Sequence, residues 1–140
     1  MPHPQDGFHG NTSKIIIYPS DFVGQDPRGG TSYLVYSVNG VYLRTGGDVL
    51  FDVKIPVGFK VTKLYIYSAT NTSILLDRVV FSTGAISSVP INGGASGTTN
   101  SINTLDSPVV YDTGSYLRVT VTGSHSSNAI RGGYVEITPL

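Results

Sequence analysis

Three histidines, nine carboxylates, nine tyrosines and a large stock of Ser and Thr hydroxyls are the groups in this 140-residue chain that could do chemistry. A zinc site needs three or four convergent ligands. His3 and His9 fall near the N-terminus and His125 in a Gly/Ser-rich turn, so the spacing gives one subunit no ligand set. Cysteine is absent, which removes disulfides and thiolate ligands. Asp48 and Asp52 share a predicted strand face, but four residues of strand rise put them about 13 Å apart. That is beyond the separation of the paired carboxylates in glycoside hydrolysis. Most other acids neighbour Gly, Pro or Ser, where Asp makes turns by bonding its own backbone. The sequence has no Asp-x-Asp-x-Asp-Gly calcium loop and no Gly-x-Ser-x-Gly elbow. Ser124 and Ser126 flank His125, yet adjacency along a chain does not build a triad. Arg28-Gly-Gly and Arg131-Gly-Gly read as turn and bulge steps. The residues predict a protein that is not an enzyme and that holds no metal and no cofactor.

The tyrosines carry more information. Tyr65 and Tyr67 lie on one face of a predicted strand, and Tyr33, Tyr36, Tyr42, Tyr116 and Tyr134 also fall in strands. Three readings stand side by side. An exposed row could stack on sugar rings, with Tyr65 and Tyr67, or another tyrosine pair, in solvent beside polar residues such as Asn71 and Asp77. It could anchor a protein interface, where Tyr is enriched. Or each Tyr packs its ring on a β surface and wets its hydroxyl.

These groups have to be positioned by strands. Four Ala, one Glu, one Met, two Gln and four Lys stand against 16 Val, 11 Ile, 14 Thr and 9 Tyr. Strong helix formers are scarce, and β-branched and aromatic residues abound. Charged residues make up 13% of the chain, about half the usual ~25%. Nine basic residues balance nine acidic ones, which argues against a nucleic-acid or membrane-surface partner. The longest apolar runs, such as Ile15-Ile16-Ile17, fall far short of the ~20 residues of a membrane span. The N-terminus lacks the basic and apolar regions of a secretory signal.

Along the chain, Lys14–Tyr18 is a β-branched run stopped by Pro19. Residues 33–38, Asn39-Gly40 and Val41–Arg44 read as a hairpin with a type I′ turn. Asp48–Ile55 alternates, with Val49, Phe51, Val53 and Ile55 on one face. Phe59–Ser68 and Ser73–Ser82 are two long strands joined across residues 69–72. Residues 83–99 hold one short strand, and Asn100–Leu105 and Pro108–Tyr111 are weak candidates. Ser115–Thr122 points Leu117, Val119 and Val121 inward and Tyr116, Arg118 and Thr120 outward. The last strand, Ile130–Thr138, changes face at Gly132-Gly133, as a bulge requires. The expected fold is all-β: a single antiparallel β-sandwich, jelly-roll-like, of about eight strands over residues 14–140. A small closed barrel is the alternative.

Residues 1–13 have no period and read as an extended N-terminal arm. Phe8 is its one large apolar side chain, flanked by Gly7 and His9, while Pro2 and Pro4 keep the start extended. The arm is expected to serve assembly, with Phe8 as an anchor in a neighbouring subunit.

Three stretches resemble small β-sandwich virion proteins of tailed phages, especially those of cyanobacterial and marine phages. They are Lys14-Ile-Ile-Ile-Tyr-Pro-Ser-Asp-Phe22, Ile55-Pro-Val-Gly-Phe-Lys-Val-Thr-Lys63, and Tyr116-Leu-Arg-Val-Thr-Val121 with Arg131-Gly-Gly-Tyr-Val-Glu-Ile137. The resemblance implies a structural role, as a capsid decoration (cement) protein or an appendage head domain. On that basis the expected partners are the major capsid protein and further copies of the chain, as a homotrimer. The expected place is the exterior of the virion, after synthesis in the host cytoplasm. The residues expected at assembly contacts are Phe8, His9, Tyr65 and Tyr67. A carbohydrate-binding or fibre domain for host-surface recognition is the alternative.

Overall fold

The computed structural model describes residues 13–24, 34–44 and 46–140. Twelve strands lie among them: β1 (Ser13–Ile17), β2 (Val23–Gly24), β3 (Leu34–Ser37), β4 (Gly40–Leu43), β5 (Gly47–Val53), β6 (Phe59–Ser68), β7 (Ser73–Val80), β8 (Ile86–Ser88), β9 (Gly97–Thr98), β10 (Asn103–Val110), β11 (Ser115–Ser124) and β12 (Ile130–Pro139). The excess over the eight expected lies in short pieces, since β2, β8 and β9 have only two or three residues. Ser13, assigned to the arm by its sequence, pairs with Ile137 and opens β1. The remainder of the arm, with Phe8 and His9, lies outside the described residues.

The strands form two antiparallel sheets. Sheet A runs β10-β6-β12-β4-β3, with β1 beside the C-terminal half of β12. Sheet B runs β2-β5-β11-β7-β8, with β9 also on β7. The chain changes sheet at every step except β3 to β4, β7 to β8 and β8 to β9. Period-two alternation gives each long strand one buried face. Sheet A contributes Val61, Leu64, Ile66, Ile130, Val135 and Ile137 to the core. Sheet B contributes Val49, Phe51 and Val53, then Ile74 and Leu76, then Leu117, Val119 and Val121. Phe22 enters from the short 3-10 turn at Pro19–Asp21 and meets Phe51 edge to face, centroids 5.3 Å apart. This is the face-to-face packing of a sandwich.

Local departures from expectation have local causes. In the β3–β4 hairpin Ser37 pairs with Gly40, so the turn residues are Val38 and Asn39. It is not type I′, because only Gly40 takes a positive φ, of 125°. The Ser37 hydroxyl accepts the Asn39 N–H (3.2 Å) and donates to the Gly40 carbonyl (3.1 Å), which moves the turn back by one residue. The two weak segments after residue 99 join into β10, with a register shift between Thr104 and Val109. Residues 83–99 hold two short strands rather than one. Thr120 faces outward but is buried, between Leu50 and Leu75 on neighbouring strands. The bulge expected at Gly132-Gly133 forms one step earlier, with Arg131 as the extra residue, while Gly132 and Gly133 pair regularly with Tyr67 and Ile66. The register slips between Ile130 and Gly132, whose φ is 100°.

Candidate functional site

The outward face of sheet A carries the aromatic residues that the sequence singled out. Leu64 and Ile66 point into the core, so Tyr65 and Tyr67 point away from it. Register sets Tyr134 of β12 opposite Tyr65, and Ile16 of β1 opposite Tyr134. The Tyr65 and Tyr134 rings are nearly parallel (8°, centroids 5.6 Å), and Tyr67 tilts against Tyr65 at 4.5 Å. The Lys14 ammonium sits 4.3 Å from the Tyr134 centroid. Next along the face, Glu136 lies opposite Lys14 and reaches Lys63 at 3.8 Å.

The row Lys14–Tyr134–Tyr65–Tyr67 therefore uses its ring faces internally. A parallel aromatic pair and a cation over a ring satisfy the π quadrupoles within the row. Tyr67, 47% exposed, is the most open of the three rings, while Tyr65 and Tyr134 are half-buried. The sugar reading looked for Tyr65 and Tyr67, or another tyrosine pair, in solvent beside polar residues such as Asn71 and Asp77. Asp77 lies instead on the outward face of sheet B, opposite Arg118. The Asn71 side-chain oxygen is held by Asn100 Nδ2 at 2.9 Å.

His125 bonds through Nδ1 with Ser127 Oγ (2.8 Å), an exposed contact within one turn. Ser124 is buried and Ser126 exposed. Among the described residues no three His, Asp or Glu converge on one point. Asp48 and Asp52 engage different partners, Gly123 N–H for the first and Arg118 for the second.

Two polar clusters went unnoticed in the sequence because cross-strand register creates them. On sheet B, Asp52, Arg118 and Asp77 form one row across β5, β11 and β7. Arg118 Nε donates to Asp52 Oδ1 at 2.9 Å and Nη2 to the Tyr116 hydroxyl at 3.1 Å. Burial raises the Asp77 carboxyl above its ordinary value, and the Arg118 charge opposes this in part. At the end of the sandwich, Arg78 shares the inward face of β7 with Leu117 of β11 and projects past the core. Its Nε donates to Ser115 Oγ (2.9 Å) and its Nη2 to Asp112 Oδ2 (2.8 Å). Ser115 Oγ donates in turn to Asp112 Oδ2 at 3.1 Å. The Gly114 N–H, and then the bonds from Arg78 and Ser115, hold Asp112 below the usual carboxylate range.

No protein-family profile and no curated protein sequence matches this chain.

Proposed function

We propose that this chain is a non-enzymatic virion structural protein of a tailed phage. In this reading it is a capsid decoration protein that binds the major capsid protein on the virion exterior and self-associates as a homotrimer. The observation that carries the reading is the pre-stacked row Lys14–Tyr134–Tyr65–Tyr67 on the outward face of sheet A, with Ile16 exposed beside it. Rings that already hold one another lose little rotamer freedom on docking, so more of the contact energy is left for binding. Tyr is enriched at interfaces for its amphipathic ring. Zero formal net charge adds no long-range repulsion between copies packed on a lattice. The virion assignment draws on the resemblance of residues 14–22, 55–63, 116–121 and 131–137.

The finer fold belongs to the same proposal: a jelly-roll-like order, supported by the repeated crossings between sheets, and an N-terminal arm that ties subunits together. A carbohydrate-binding domain centred on Tyr65 and Tyr67 is disfavoured at that place, because Tyr65 is half-buried and already packs against both Tyr134 and Tyr67.

Mass spectrometry of purified particles is the test. The protein is expected among the virion components, and Tyr65→Ala with Tyr67→Ala is expected to stay folded but to leave the particle. Absence of the wild-type protein from particles ends this reading.

A further inference from the structure

At the end of the sandwich where β5 and β7 finish and β11 begins, a cleft of about 270 Å³ opens between the two sheets. Its floor is the last apolar layer of the core, including Val53, Val109 and Leu117. One wall is Phe81, 65% exposed, tilted at 45° against Tyr116 with centroids 4.9 Å apart. The other is the Arg78–Asp112–Ser115 cluster. Lys54 stands on the rim with no ion-pair partner among the described residues. The cleft runs on, past Arg78 and Asp112, into a more open groove of about 570 Å³ lined by Ser87, Ser88 and Ser107.

We propose that this trough binds an oligosaccharide, with one pyranose ring in the cleft against Phe81 and the next over the serines of the groove. Three features select a sugar. The first is the aromatic surface. Phe81 packs against Tyr116 and is still 65% exposed, so most of its ring surface is open to a ligand. The C–H face of a pyranose, which is weakly electropositive, suits the negative face of an aromatic ring.

The second is the polar wall. A sugar hydroxyl both donates and accepts, and needs rigid partners of both kinds. Asp112 and Ser115 are locked by Arg78 and the Gly114 N–H, so their remaining lone pairs are oriented before a ligand arrives. Lys54 adds donors on the rim. The third is size and continuity. The cleft is just under the ~300–1,000 Å³ of sites for drug-sized ligands, which fits a single ring. The hydroxyl-lined groove beside it extends the contact in one direction, as a chain of sugars would.

The site shares no residue with the tyrosine row, so it stands or falls independently of the capsid proposal. The test is an array of immobilised oligosaccharides containing hexoses, N-acetylhexosamines and uronic acids. It is probed with the full-length protein and with Phe81→Ala, Asp112→Asn and Tyr67→Ala. Circular dichroism checks that each variant keeps its fold, which an exposed Phe81 makes the expected outcome. The expected result is retention on a subset of glycans. Phe81→Ala should weaken it about tenfold or more, Asp112→Asn should also weaken it, and Tyr67→Ala should leave it unchanged. Failure of every glycan to retain the protein overturns the proposal. So does binding lost in Tyr67→Ala and kept in Phe81→Ala. If N-acetylphenylalaninamide shifts the Phe81 and Tyr116 resonances while no glycan binds, the cleft takes a protein side chain and the proposal is wrong.

Discussion

Replacing Asn103 by Ala should be among the most damaging single changes in this protein, and Gly97 provides an internal control. Asn103 is fully buried in β10. Its Nδ2 donates to the carbonyls of Leu64 (3.2 Å), Thr98 (3.0 Å) and Ser101 (3.0 Å). Its Oδ1 accepts from Thr98 N–H (3.0 Å) and Asn92 Nδ2 (3.2 Å). Truncation strands all these partners. The Leu64 carbonyl is buried, cannot reach water and loses the Asn103 amide, at about 1–3 kcal/mol. The others are half-exposed and recover water, so each costs about 0.5 kcal/mol. The sum is about 3–5 kcal/mol, with no change in the surface exposed on unfolding.

A Cβ on Gly97 would overlap Asn103 Oδ1 and lie 2.8 Å from its Cγ, while only 3.4 Å separates it from the Asn103 Cβ. Gly97→Ala should therefore cost about 1–3 kcal/mol in the wild type and little more than zero on top of Asn103→Ala. Urea melts of the four proteins close the cycle, read as a shifted midpoint at constant slope. A loss below about 1 kcal/mol for Asn103→Ala, or strict additivity with Gly97→Ala, would refute the reasoning.

A Cβ at Gly133 would overlap the Tyr65 carbonyl oxygen and sit 2.9 Å from Ile66 Cα. Backbone cannot yield as a flexible side chain can, so Gly133→Ala should destabilise by about 3 kcal/mol; a melting temperature close to wild type would contradict this. The two perturbed carboxylates predict opposite pH behaviour. Asp112 titrates below its unfolded value, so its contribution is present above 3.8 and lost as pH falls through its lowered native value. Asp112→Asn should then be less stable than wild type at neutral pH, and the gap should close in acid. Asp77 titrates above its unfolded value, so the wild type gains stability as pH falls through the raised value towards 3.8. Asp77→Asn should melt higher than wild type at neutral pH, with the advantage vanishing in acid. Thermal melts across pH check both, and parallel curves for wild type and variant would contradict the assignments.

The sequence by itself determined which way side chains point along β5 and β11. Leu117, Val119 and Val121 of β11 are buried as their alternation required, and β6 spans the residues read from its pattern. That β12 carries a bulge was legible too, from the two adjacent glycines in a β-rich run, although it falls at Arg131-Gly132 and not at Gly132-Gly133. These are local properties, fixed by the period of two and by the steric freedom of individual residues.

Tertiary structure alone decided which strands became neighbours. The connection of residues 69–72 reads the same whether it closes a hairpin or crosses between layers. It crosses, and it is held there by distant residues: Asn128 Oδ1 accepts Thr70 N–H at 3.1 Å, and Thr99 Oγ1 accepts Thr72 N–H at 2.9 Å. The same is true of both candidate surfaces. Tyr65 lay in view beside Tyr67, but Tyr134, which covers its ring, is 69 positions along the chain, from residue 65 to residue 134. The cleft draws Lys54, the Arg78 and Phe81 pair, and Asp112 from three separate segments whose own sequences carry no motif. Periodicity sets the face of a strand, but register between strands is a non-local choice made by the packed core, and chemistry at a surface depends on that register.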